Sequence, residues 1–137
     1  MERACILALL VMVAMGGPVE SAPPPSYGLG VLTVAYESSG EPYEGQVLVA
    51  SVIKARMAKG KTVEEVVFAK SQFSCWRDGK PAQARELTVK ELEIASKAWA
   101  AAKAGEWTNY TRYDCRPGWT YKARKTKRVG NHLFYSF

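Results

Sequence analysis

Residues 36–53 read Tyr36-Glu37-Ser38-Ser39-Gly40-Glu41-Pro42-Tyr43-Glu44-Gly45-Gln46-Val47-Leu48-Val49-Ala50-Ser51-Val52-Ile53. Ser38-Ser39-Gly40 ends a helix, and Pro42 starts another, because proline's missing N–H costs nothing in a first turn. Glu41 and Glu44 then lie near the positive end of the new helix's macrodipole. Val47 to Ile53 is apolar at every position but Ser51. This second helix, from Pro42 to about Lys59 before Gly60, is therefore expected to be the central and most buried element.

Working outward, the preceding helix is expected over about Leu29–Ser38, with Leu32, Ala35 and Tyr36 on one face. Downstream, Thr62-Val63-Glu64-Glu65 and Thr88-Val89-Lys90-Glu91 each place a glutamate three residues after a threonine. That is the spacing of a capping box. The first opens a short helix to about Ala69. The second opens a long alanine-rich helix, with Gly105 as its expected C-cap. Beyond Gly105 helical periodicity disappears, and the tail reads as loops with a short strand or helix near Val129–Tyr135.

At the N-terminus, Ala4 to Met15 forms an unbroken apolar run of 12 residues, preceded by Arg3 and followed by Gly16-Gly17-Pro18. This is the length of a signal-peptide core and too short for a transmembrane helix. Residues 1–22 are read as a signal peptide with small residues Ser21 and Ala22 at the cut, and 23–28 as a proline-rich spacer. The expected catalytic domain is 29–137. The leader implies transient membrane contact and a secreted, periplasmic or cell-wall location. Removing Glu2, Arg3 and Glu20 raises the net charge by one from +6.

Cys5 would leave with the leader, so Cys75 and Cys115 remain. In an oxidising compartment they are expected to pair as one disulfide, the alternative being two free buried thiols. No CxxC spacing occurs and His132 is the only histidine. A metal site would lack ligands, and a nucleophilic triad would need His132 as its base.

Glu37 is the leading catalytic candidate. A carboxylate at a helix C-terminus, beside small residues that leave its face open, sits where dipole and burial favour the protonated form. That is the requirement for a general acid. The plain alternative is an exposed glutamate at a helix end.

The opening stretch resembles the first motif of the SleB-like cell-wall hydrolases, which include spore-cortex lytic enzymes and phage lysins. Further similar segments follow in order: Val63–Val67, Ser71-Gln72-Phe73-Ser74-Cys75-Trp76, the helix before Gly105, Pro117-Gly118-Trp119, and Val129-Gly130-Asn131-His132-Leu133-Phe134-Tyr135. Together they cover about residues 29 to 137. The chain departs from the family pattern at Ala55-Arg56, usually Asn-Arg, and at Ser38-Ser39-Gly40, usually Ala-Arg-Gly.

The resemblance implies a mainly α, small lysozyme-like single domain with an irregular C-terminal region. It implies cleavage of the β-1,4 bond between N-acetylmuramic acid and N-acetylglucosamine in peptidoglycan, by a lytic transglycosylase or muramidase without metal or cofactor, with Glu37 as the acid. Glu41 and Glu44 are candidates for a second carboxylate, though helix-start charges are the simpler reading. The matched residues suggest a saccharide groove of Gln72, Ser74, Trp76, Tyr110, Tyr113, Trp119, His132 and Tyr135, where aromatic faces stack on sugars. For His132, a packed ring holding the C-terminus is the alternative. Phe68, Phe73, Trp99 and Phe134 are read as core.

Lys122, Arg124, Lys125, Lys127 and Arg128 form a basic run suited to anionic envelope polymers, or simply a solvated loop. Nucleic-acid binding would explain this run but conflicts with export. The chain is expected to act as a monomer on peptidoglycan; a noncatalytic secreted peptidoglycan-binding protein would explain everything except Glu37.

Overall fold

A computed structural model describes residues 27–137. The expected signal peptide, Cys5 and residues 23–26 of the spacer lie outside them. Four helices, α1 (Gly28–Ser38), α2 (Tyr43–Met57), α3 (Val63–Val67) and α4 (Val89–Ala101), alternate with a short hairpin, β1 (Trp76–Arg77) and β2 (Lys80–Pro81). The chain closes with a three-stranded antiparallel sheet in the order β3-β5-β4, from β3 (Asn109–Arg112), β4 (Lys125–Val129) and β5 (His132–Ser136). No helix among the described residues is long and apolar enough to cross a membrane.

The central element is α2, as the sequence predicts. Val49, Ala50, Val52 and Ile53 are fully buried between α1, α3 and α4. Small residues let these helices approach: Ala95 and Ala98 of α4 are fully buried, and Gly30 of α1 lies under the indole of Trp99. A Cβ on Gly30 would sit 2.6 Å from Trp99 Cζ2 and 2.7 Å from Cζ3. Gly30→Ala is therefore expected to destabilise by roughly 1–3 kcal/mol through overpacking, exceeding the ~1 kcal/mol of helix propensity that alanine adds. Thermal unfolding checks the sign; a stabilised variant would show that the indole yields freely.

Both capping boxes form. Thr62 Oγ1 accepts from Glu65 N at 3.1 Å while Glu65 Oε1 accepts from Thr62 N at 2.8 Å, and Thr88 and Glu91 repeat this at 3.1 and 2.9 Å. The end of α4 differs from the expected Gly105 cap: the helix stops at Ala101. The reason lies in α2, whose Lys54 ammonium donates to the carbonyls of Trp99 (2.5 Å) and Ala102 (3.0 Å), while Ser51 Oγ donates to that of Lys103. A cation at the negative end of the helix replaces a glycine turn.

The strand option near Val129–Tyr135 is realised as β5, while β3 and β4 correct the reading of the rest of the tail as loops. Central β5 buries Phe134 and Tyr135 completely, pairing Tyr110 with Phe134 and Val129 with His132. Edge strand β4 is Lys-Thr-Lys-Arg-Val, exposed up to its last residue. It shows no apolar alternation, so only backbone pairing reveals it.

The Cys75–Cys115 disulfide is also corrected: both are free thiols. Cys75 is half-buried against the helical core, whereas Cys115 is exposed in the turn after β3. The first is committed to contacts in the cleft described next.

Candidate active site

The last turn of α1 delivers Glu37 into a cleft of about 720 Å³. Side chains tighten that turn: Ser38 Oγ donates to Val34 O (2.6 Å) and Ser39 Oγ to Ala35 O (2.5 Å), a second bond on carbonyls of the last turn. Glu37 is fixed from two other elements. Its Oε2 accepts from Cys75 N at 3.2 Å, and its Oε1 accepts from the Tyr110 hydroxyl of β3. Burial, then the charge of Glu37, pushes the Cys75 thiol well above its ordinary range and raises the Tyr110 phenol likewise. Both groups therefore stay protonated, and the Tyr110 hydroxyl acts as a donor to Glu37.

Tyr110 is seated by aromatic neighbours, with ring centroids 5.1 Å from His132, 5.6 Å from Phe134 and 6.3 Å from Phe73. Tyr110→Phe keeps this packing and deletes the donor. Turnover is expected to fall about tenfold or more, the scale of one hydrogen bond to a charged group, with little change in melting temperature. Unchanged kinetics would mean that Cys75 alone orients Glu37.

Of the residues expected from sequence, Glu37, Gln72, Ser74, Tyr110 and His132 line the cleft together. Trp76, Tyr113, Trp119 and Tyr135 do not. Trp76 donates its indole N–H to Thr33 Oγ1 at 2.9 Å and packs edge-on against Tyr36, bolting the hairpin to α1. Tyr135 is fully buried, its hydroxyl 2.9 Å from Thr111 Oγ1, and Trp119 packs edge-on against it. Tyr113 lies between the guanidinium groups of Arg112 and Arg128, 5.6 and 4.4 Å from its ring centroid. Phe73 and Phe134 are core as expected, whereas Phe68 is 40% exposed.

Several groups emerge only from the structure. Arg56, half-buried near the end of α2, donates to Thr108 O and to Gln72 Oε1, each at 3.0 Å, and so holds Gln72 at the cleft. Its place next to Ala55 in the last turn of α2, where the family pattern usually has Asn-Arg, was the signal available. Arg85 and Arg112 stand at the rim, where Arg85 pairs with the capping Glu91 at 2.5 Å. Ser71, also lining the cleft, holds a left-handed φ of 62°.

Glu41 faces the same cleft, yet both of its oxygens are engaged, by Asn131 N at 2.9 Å and Asn131 Nδ2 at 3.1 Å. It clamps the β4–β5 turn, where Gly130 has φ +58° and a Cβ would strike Glu41 and Pro42. Glu44 lies outside, paired with Lys127 at 2.5 Å. Lys125 pairs with Glu106 at 3.0 Å, so both lysines of β4 are locally balanced.

His132 is buried beside Tyr110, its Nδ1 without a partner among the described residues. Desolvation lowers its pKa, against the opposing charges of Glu41 and Glu37. Between the depressed native value and the ordinary 6.5, the unfolded chain binds a proton that the native one does not. Stability conferred by the neutral ring is thus expected to fall as pH drops below about 6.5, with a slope of at most ~1.4 kcal/mol per unit. His132→Phe should flatten that limb in denaturant titrations at several pH values; an unchanged limb would assign it to other groups.

The cell wall hydrolase family profile matches residues 40–135. It begins three positions after Glu37, whose role is argued from its contacts. A spore cortex-lytic enzyme of Oceanobacillus iheyensis is 33% identical over 103 residues, covering 72% of this chain and 37% of that protein. The chain spans about a third of the length of the curated relatives it matches. Among solved structures, the catalytic domain of the Bacillus cereus SleB protein aligns with a TM-score of 0.63 at 27% identity, over 88% of this chain and 100% of that one. The catalytic domain of the germination-specific lytic transglycosylase SleB from Bacillus anthracis aligns with a TM-score of 0.61 at 26% identity, over 83% and 100%. The mainly α, lysozyme-like fold expected from sequence is therefore the fold observed.

Proposed function

Because this chain belongs to the cell wall hydrolase family, we propose that it cuts peptidoglycan glycan strands between N-acetylmuramic acid and N-acetylglucosamine, as a lytic transglycosylase with Glu37 as acid and base. The observation that carries this reading is the double anchoring of Glu37 in an open cleft, by Cys75 N and the Tyr110 hydroxyl. Donors on both oxygens fix the carboxyl group's direction without consuming it, since each oxygen has a second lone pair.

In its protonated form Glu37 gives a proton to the glycosidic oxygen as the bond to the muramyl C1 breaks. The substrate's acetamido group stabilises the positive charge developing at that carbon. The carboxylate then takes the proton from the muramyl 6-hydroxyl, whose oxygen closes on C1 to give a 1,6-anhydro end. One carboxyl group serves both transfers.

Hydrolysis would require a water held by a second carboxylate, ordinarily about 5–10 Å from the first. Glu41 is the available group, and its engagement with Asn131 favours a structural role. Gln72, held by Arg56, and Ser74 are placed to bind sugar hydroxyl and N-acetyl groups. The leader would export the chain to the wall. Lys122 and Arg124, which make no ion pair among the described residues, remain for anionic envelope polymers.

Mass spectrometry of fragments released from purified peptidoglycan tests the reaction type. Anhydromuramyl ends, one water lighter than hydrolysed ends, are expected. Reducing muramyl ends alone would make the enzyme a muramidase and give Glu41 or another group the water.

A further inference from the structure

A second cavity, of about 520 Å³, lies across the 71–74 loop from the first; Ser71 and Ser74 line both. Its walls carry Lys70, Arg77, the exposed ring of Phe68 and the single carboxylate Asp78. The β1–β2 hairpin that forms one wall turns through Asp78-Gly79, both at positive φ (54° and 77°), the geometry of a tight two-residue turn. That register sets Arg77 directly opposite Lys80. Like charges facing each other across a strand pair destabilise it. Neither they nor Lys70 make an ion pair among the described residues. Three unbalanced cations are thus gathered beside a cavity that shares a wall with the cleft, at a cost to the hairpin.

We propose that this second cavity binds the peptide stem of the strand whose sugars occupy the cleft, with Lys70, Arg77 and Lys80 taking its free carboxylates and Phe68 covering its aliphatic portion. This rests on the reading of the cleft as a glycan site. The shared wall selects this occupant: a stem leaves the muramyl ring sideways, and the rim of the 71–74 loop is where a branch from a strand in the cleft would cross into the second cavity. Arginine and lysine suit carboxylates, the first by paired N–H donors and the second as a point charge. The cavity therefore makes the protein a reader of stem-bearing strands.

The test uses the full chain with Glu37→Gln, to prevent cleavage, and measures binding to soluble glycan strands with intact stems and to the same strands after an amidase has removed them. Stem-bearing strands are expected to bind about tenfold tighter at low salt, the scale of a few exposed charge pairs. Lys70→Gln/Arg77→Gln/Lys80→Gln should bring their affinity to the stem-free level, while Arg77→Lys, which keeps the charge, retains most of the preference. Equal binding of the two strands, or a preference that survives in the triple variant, overturns the proposal. Cleavage by the native chain without any stem preference would leave the cleft reading standing and this one refuted. Stem preference without cleavage would leave both cavities as binding sites and refute the reaction assigned to Glu37.

Discussion

Glu37→Gln is expected to lower the release of soluble fragments from purified peptidoglycan by about a thousandfold, within the 10²–10⁴ range of a lost general acid–base. Glutamine keeps the size and can still accept from Cys75 N or the Tyr110 hydroxyl through its amide oxygen. What it lacks is the transferable proton. The melting temperature should stay within a few degrees of the native value, because Glu37 is only half-buried and its packing is conserved. A variant with wild-type release would remove Glu37 from the chemistry; one that unfolds would make its role structural. The thousandfold loss with an intact fold is the signature of a catalytic group.

Ile53→Ala is the substitution expected to cost most in stability. Ile53 is fully buried in the middle of α2, among the largest completely enclosed side chains. Truncating a buried isoleucine costs roughly 2–5 kcal/mol, part lost transfer energy and part cavity, out of the ~5–15 kcal/mol typical of a domain. The melting temperature should drop by about 10 °C or more. Activity per folded molecule at low temperature should hardly change, since Ile53 does not line the cleft. A shift of less than about 3 °C would show that α2 is not the anchor of the fold.

The helical part of this architecture was legible because its signals are local. Pro42, the run Val47–Ile53 and the two Thr-x-x-Glu boxes each act within a turn or two of where they stand. Glu37 could be singled out for the same reason, by its place in the last turn of α1. Of the sheet only the segment of β5 was legible, because β4 is a basic edge strand whose burial pattern carries no period of two. The end of α4 was misplaced because Lys54, 48 positions before Ala102, supplies the cap.

Site partners were hidden by sequence distance. Tyr110 meets Glu37 across 73 positions, and Asn131 meets Glu41 across 90. Aromatic residues in irregular segments presented a further ambiguity: Trp76 and Tyr135 look the same in sequence whether they face a sugar or the core. Only burial and the hydrogen bonds to Thr33 and Thr111 assign them to the scaffold behind the cleft. The cysteines illustrate the converse. Their number suggested a crosslink, while both are free thiols and it is the backbone N–H of Cys75 that donates to the carboxyl group in the cleft.

The central claim is that this chain breaks glycosidic bonds in peptidoglycan and that Glu37 does so. The most direct measurement counts the new chain ends formed when the full chain digests purified sacculi, comparing native protein with Glu37→Gln. The account predicts new muramyl ends in step with solubilisation, no new free amino groups, and loss of both release and ends in the variant. New amino groups, which report peptide-bond cleavage, or muramyl ends appearing at the native rate in the Glu37→Gln variant, would contradict it.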